Sequence, residues 1–140
     1  MAELSDTQPP HDGMAASGRG RFLVLACGAV AREILALIRV NGWDHVDLHC
    51  LPAILHNHPD RIAGLVREAV IDRQDRYDRV FVAYAYCGTG GDLARVCDDL
   101  DVEMIRGPHC YAFFEGVDAF VERCEVFSFF LTDFLTRQFD

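Results

Sequence analysis

From Arg21 onward, apolar and polar positions alternate between strand-like runs and helical stripes. The run Phe22-Leu23-Val24-Leu25-Ala26 contains no polar residue and ends in Cys27-Gly28, as expected of a strand covered on both faces. Val30, Ile34, Leu37 and Ile38 then recur at helical spacing, predicting a helix over residues 29–40. Asn41-Gly42 supplies residues that tolerate the left-handed backbone at its end. Val46 to Leu51 predicts a second strand, closed by Pro52. In residues 59–76, Ile62, Leu65, Val66, Ala69 and Val70 form one apolar face opposite Arg, Asp and Glu, predicting an amphipathic helix capped by Asn57 or Asp60. A third strand is predicted over Arg79 to Tyr84, running to the turn Cys87-Gly88-Thr89-Gly90-Gly91, which opens a helix from Asp92 to Leu100. Val102 to Ile105 reads as a short fourth strand. It leads through Arg106-Gly107-Pro108-His109-Cys110 into an aromatic helical stretch with Tyr111, Phe113 and Phe114.

Strands alternating with helices imply right-handed crossovers. The expected fold is therefore α/β: a three-layer, open, mainly parallel sheet of about four strands with flanking helices, Rossmann-like. Residues 1–20 are polar, contain Gly and Pro and lack periodicity, so they are expected to be a disordered leader to a single domain over residues 21–140. In open α/β sheets ligands bind beyond the carboxyl ends of the strands. That edge is where topology brings Cys27, Cys87 and the His109-Cys110 pair, and His56 and His58 follow the second strand toward it.

Composition narrows the chemistry. The formal net charge of −9 argues against nucleic acid, whose affinity comes largely from neutralising phosphates. The sequence has no Lys, which excludes Schiff-base chemistry, pyridoxal phosphate attachment and a Walker lysine. The longest apolar runs are too short or too interrupted to span a bilayer, so no membrane segment is expected. Six cysteines without a secretory leader point to reduced thiols in the cytoplasm.

Three thiols converging with an imidazole are competent ligands for Zn²⁺ or an iron–sulfur centre, because thiolate is soft and neutral imidazole is a borderline donor. The expected ligands are Cys27, Cys87 and Cys110, with His109 or His56 as a fourth. No Cys-x-x-Cys knuckle is present, so this reading depends on the inferred topology. Cys50, Cys97 and Cys124 read instead as small core hydrophobes. Gly88, Thr89, Gly90 and Gly91 offer a second chemistry, since a glycine-rich turn opening a helix presents backbone N–H groups to a phosphate or carboxylate. The turn is not GxGxxG, and it can equally serve only to let the helix pack closely. Phe113, Phe114, Phe127, Phe129 and Phe130 read as core or, in the C-terminal segment, as a contact between subunits.

Several blocks together resemble the family called domain of unknown function 1638: Cys27-Gly28-Ala29-Val30-Ala31-Arg32-Glu33, Leu55-His56-Asn57-His58-Pro59, Cys87-Gly88-Thr89-Gly90-Gly91, His109-Cys110-Tyr111-Ala112-Phe113-Phe114 and Leu131-Thr132-Asp133-Phe134-Leu135. The resemblance implies a link to corrinoid-dependent methyltransferases and one-carbon metabolism, with a small molecule or that methyltransferase system as partner. It also implies that the chain lacks a C-terminal portion present in other members. The pattern carries acidic residues where this chain has Tyr86 and Ala112. Two functions are thus expected: a Cys/His metal-binding protein linked to methyl transfer, in which a bound Zn²⁺ keeps a thiol deprotonated, or a non-catalytic anion- or cofactor-binding or accessory module. Whether either entails catalysis is left open by the residues.

Overall fold

A computed structural model of the protein describes residues 15–16, 21–123 and 132–137. Its sheet has the order β1-β3-β2-β4-β5. The strands are β1 (Ala15–Ala16), β2 (Phe22–Cys27), β3 (Val46–Leu51), β4 (Arg79–Ala83) and β5 (Glu103–Met104). β2, β3, β4 and β5 run parallel, as the alternation of strands and helices requires. Ala15–Ala16 adds an antiparallel edge strand against β3, so part of the region expected to be a leader is a strand. Backbone pairing with Leu48 and His49 supplies what two alanines lack in side-chain pattern. The remaining residues of that region lie outside the described ones.

The register levels the carboxyl ends of the parallel strands. Cys27 lies beside Leu51 of β3, and Ala26 lies beside Ala83 of β4. The first crossover, through α1 (Ala31–Asn41), moves from β2 to β3, and the second, through α2 (Pro59–Arg73), passes back over β2 to β4. Right-handed connections put α1 on one face of the sheet, with α2 and α3 (Asp92–Asp99) on the other. The chain therefore leaves β2 and β4 toward opposite faces. That switch point is where an open α/β sheet makes its crevice, and Cys27 and Cys87 are carried on its two sides.

The helices follow their apolar periodicity. Ile62, Ala63, Val66, Ala69 and Val70 of α2 are buried, as are Leu93, Val96 and Cys97 of α3, and the two helices are in contact. Gly42 ends α1 in the left-handed region at φ 60°, with Trp43 N–H donating to Ile38 O, as expected of a helix end requiring positive φ. Leu37 does not join the core face that its spacing suggests; it is 55 % exposed, and the stripe of α1 packed on the core runs through Ala31, Ile34, Leu35 and Ile38. Two short helices, Val117–Arg123 (α4) and Asp133–Thr136 (α5), follow the fifth strand. Cys50 and Cys97 are fully buried packing residues, as expected, whereas Cys124, Phe127, Phe129 and Phe130 lie outside the described residues. No helix among the described residues is long and apolar enough to cross a membrane.

Candidate thiol and imidazole site

Each strand-end loop delivers one donor to the same edge, by a different local device. Cys27 is the last residue of β2, and its sulfur accepts from Ala29 N–H at 3.4 Å, capping the short 3₁₀ turn Gly28–Val30. After β3, Pro52 ends the strand and a 3₁₀ turn, Ala53–Asn57, turns His56 back over the sheet edge. His56 Nδ1 lies 3.6 Å from Cys27 Sγ and 3.2 Å from Ala53 O. A ring that donates from Nδ1 keeps its lone pair on Nε2, the arrangement in which imidazole is commonly presented to a cation. Neither Asn57 nor Asp60 caps α2; His58 occupies the cap position without a side-chain bond, and Pro59 at the first helical position needs no N–H partner.

The loops after β4 and β5 are joined through their backbones. Tyr86 N–H donates to Gly107 O at 2.9 Å and Cys87 N–H to Pro108 O at 3.0 Å. This places Cys87 Sγ 3.3 Å from Cys110 Sγ. Cys87 takes φ 46°, a left-handed conformation unfavourable for a residue with a Cβ, and Gly88 follows at φ 75° against Pro59. A strained backbone at a residue carrying a candidate ligand thiol is a pattern associated with function.

Electrostatics separates the three thiols. Cys110, buried behind the turn, keeps the proton of the pair and donates it to Cys87, so the Cys87 thiol is lowered to about 7 while Cys110 is raised. Burial pushes Cys27 up to about 11, reinforced by the nearby charge of Cys87. Burial and the approach of His56 lower His109. A thiol near 7 is substantially thiolate at neutral pH and is the reactive one of the set.

The expected site residues thus form two pairs, Cys27 with His56 and Cys87 with Cys110. Among the described residues, no group of three or more His, Cys, Asp or Glu stands close enough to hold a metal ion as placed. His109, expected as an alternative fourth ligand, is packed edge-on between Tyr111 and Phe120, with centroids at 5.1 and 4.7 Å. His58 is exposed beyond the turn. In the glycine turn, Thr89 is buried and its hydroxyl donates to Tyr86 O at 2.6 Å, while Asp92 already complements the start of α3. The turn's internal backbone bonds run from Thr89 N–H to Tyr86 O and from Asp92 N–H to Thr89 O.

One residue escaped the sequence reading. Tyr84 continues the β4 apolar run and looks like ordinary core, yet its buried hydroxyl makes no hydrogen bond of ordinary geometry. It lies near enough to Cys27 for each to shift the other's acidity, and burial raises the phenol. Its partner there is the Cys27 thiol, a weak one, and leaving a buried hydroxyl so poorly bonded costs about 1–3 kcal/mol. Tyr84→Phe is therefore expected to leave stability unchanged or raise it by up to about 1 kcal/mol, read as an unchanged or higher urea midpoint at constant slope. A loss larger than about 1 kcal/mol would show that the hydroxyl is satisfied in the folded protein.

The family model described as Protein of unknown function (DUF1638) matches residues 50–140, more than half of the chain. The match includes His56, Cys87, His109 and Cys110 and begins after Cys27. No curated protein and no solved structure matches the chain.

Proposed function

On the premise that this chain belongs to the DUF1638 family, whose description names no activity, we propose that it is a thiolate-based cation-binding protein. Cys87 and Cys110 would hold a soft or borderline cation such as Zn²⁺, and Cys27 and His56 would close onto it from across the crevice. The observation that carries this reading is the delivery of a paired dithiol and a thiol–imidazole pair, from four separate loops, to one edge of the sheet. Two thiolates on adjacent loops chelate without a Cys-x-x-Cys knuckle, because Tyr86 and Cys87 already fix those loops to Gly107 and Pro108. Cation binding requires the two pairs to draw together. The exposed His56 side chain, rather than Cys27 buried at the end of β2, is the side free to move.

A bound Zn²⁺ would keep a coordinated thiol deprotonated, chemistry suited to accepting a methyl group. The link to corrinoid or one-carbon methyl transfer is supported by the family resemblance and by this donor set. Protein purified without oxygen and titrated with Co²⁺ is expected to take up one equivalent, with thiolate-to-metal charge-transfer absorption in the near ultraviolet. Elemental analysis of the isolated protein should find Zn or Fe at the same ratio. Well-folded protein that is isolated metal-free and shows no such absorption at saturating Co²⁺ would overturn the reading.

A further inference from the structure

We propose that Cys87 and Cys110 also form a dithiol–disulfide couple, in which Cys87 exchanges with small-molecule disulfides and Cys110 resolves the mixed disulfide. This inference stands on the geometry of the pair and does not require a cation. The two sulfurs are 3.3 Å apart, already in contact, so they need to approach by only about 1.2 Å to reach a disulfide bond length. The residues come from loops after two different strands, tied by the bonds of Tyr86 N–H to Gly107 O and Cys87 N–H to Pro108 O. The approach is therefore a side-chain rotation between fixed backbones rather than a closure of the fold.

Exposure assigns the order. Cys87 is partly accessible, whereas Cys110 is 2 % exposed, so an incoming disulfide meets Cys87 and cannot reach Cys110. The Cys87 thiolate attacks one sulfur of the oxidant, for example oxidised glutathione. The oxidant's S–S bond breaks, and one glutathione leaves as thiolate while the other stays joined to Cys87. Cys110 then attacks the Cys87 sulfur, forming the Cys87–Cys110 bond and expelling the second glutathione. The protein loses two electrons and two thiol protons, both of which appear on the two glutathione thiols released. Cys27 and Cys50 take no part: both are fully buried, and the imidazole of His56 covers the Cys27 sulfur.

The test is oxidation of the full-length, metal-free chain with oxidised glutathione, followed by non-reducing peptide mapping. The expected product is a Cys87–Cys110 cross-link that dithiothreitol reverses, with alkylation of Cys87 slowed by at least ~10-fold while it persists. Cys110→Ser should stop at a glutathione adduct on Cys87, and Cys87→Ser should form neither species. Wild-type protein that keeps both thiols free, or cross-links Cys27 or Cys50 instead, would overturn the proposal without reference to any variant. Preloading with Zn²⁺ should slow oxidation if the cation occupies the same pair. Equal rates with and without Zn²⁺ would count against the cation reading and leave the disulfide couple intact.

Discussion

A Cys87→Ser variant is expected to lose stoichiometric Zn²⁺ and Co²⁺ uptake, with apparent affinity falling about 100-fold or more, because a serine hydroxyl remains protonated where a thiolate is the ligand. The loss should exceed that of His56→Ala, since His56 contributes one neutral donor and Cys87 contributes the most acidic thiol and half of the chelating pair. The wild-type protein carries a pH signature of the same chemistry. Cys87, lowered to about 7, is already thiolate above that pH, whereas burial holds Cys27 protonated up to about 11 and its bond to Cys87 holds Cys110 protonated as well. Binding above pH 7 therefore displaces two thiol protons, and binding below it displaces three. As the pH is lowered, apparent affinity should fall about 100-fold per unit down to that point and by at least about 1000-fold per unit below it, where protonation of the His56 imidazole also competes. Competition titrations with a chelator at several pH values measure this slope, and a pH-independent affinity would exclude thiolate ligation.

Leu25→Ala is expected to destabilise the fold by about 2–5 kcal/mol. Leu25 is fully buried in β2, the central strand, and lies between His49 of β3 and Val82 of β4. A cavity there has protein on both faces of the sheet and little room to relax. A domain of this kind has about 5–15 kcal/mol in total, so the change removes a large share. Val40→Ala provides the contrast: at 83 % exposure on α1 it should change stability by no more than about 0.5 kcal/mol. Denaturant unfolding of both variants decides the point, and equal effects would contradict the placement of the core.

These two expectations differ in how far the sequence alone could have led to them. The burial of Leu25 is legible from Phe22 to Ala26, because an unbroken apolar run bounded by a glycine turn has few other solutions. So are the bounds of β3, the apolar face of α2 and the left-handed Gly42. The two-residue β1 was not legible, since Ala15 and Ala16 carry no alternation and are held by backbone pairing. Within the site, the cysteine-bearing turns were legible as strand-end turns. The contact of His56 with Cys27 was not, because His56 and His109 both follow strands and only packing distinguishes a ring turned toward Cys27 from one wedged between Tyr111 and Phe120. Tyr84 was hidden for the same reason: an aromatic residue at the end of an apolar strand looks like core until its hydroxyl is found without an ordinary partner.

The sequence by itself determined the alternation of strands and helices and the position of Cys27, Cys87, Cys110 and His56 at strand ends, because periodicity and turn chemistry involve residues that are neighbours along the chain. Only the tertiary structure decided that β2 lies between β3 and β4, that Cys87 is paired with Cys110, and that Cys27 is paired with His56. Strand order and loop contact join residues far apart in sequence. Which pairs form depends on the path of every crossover between them, and no local pattern in the chain encodes that path.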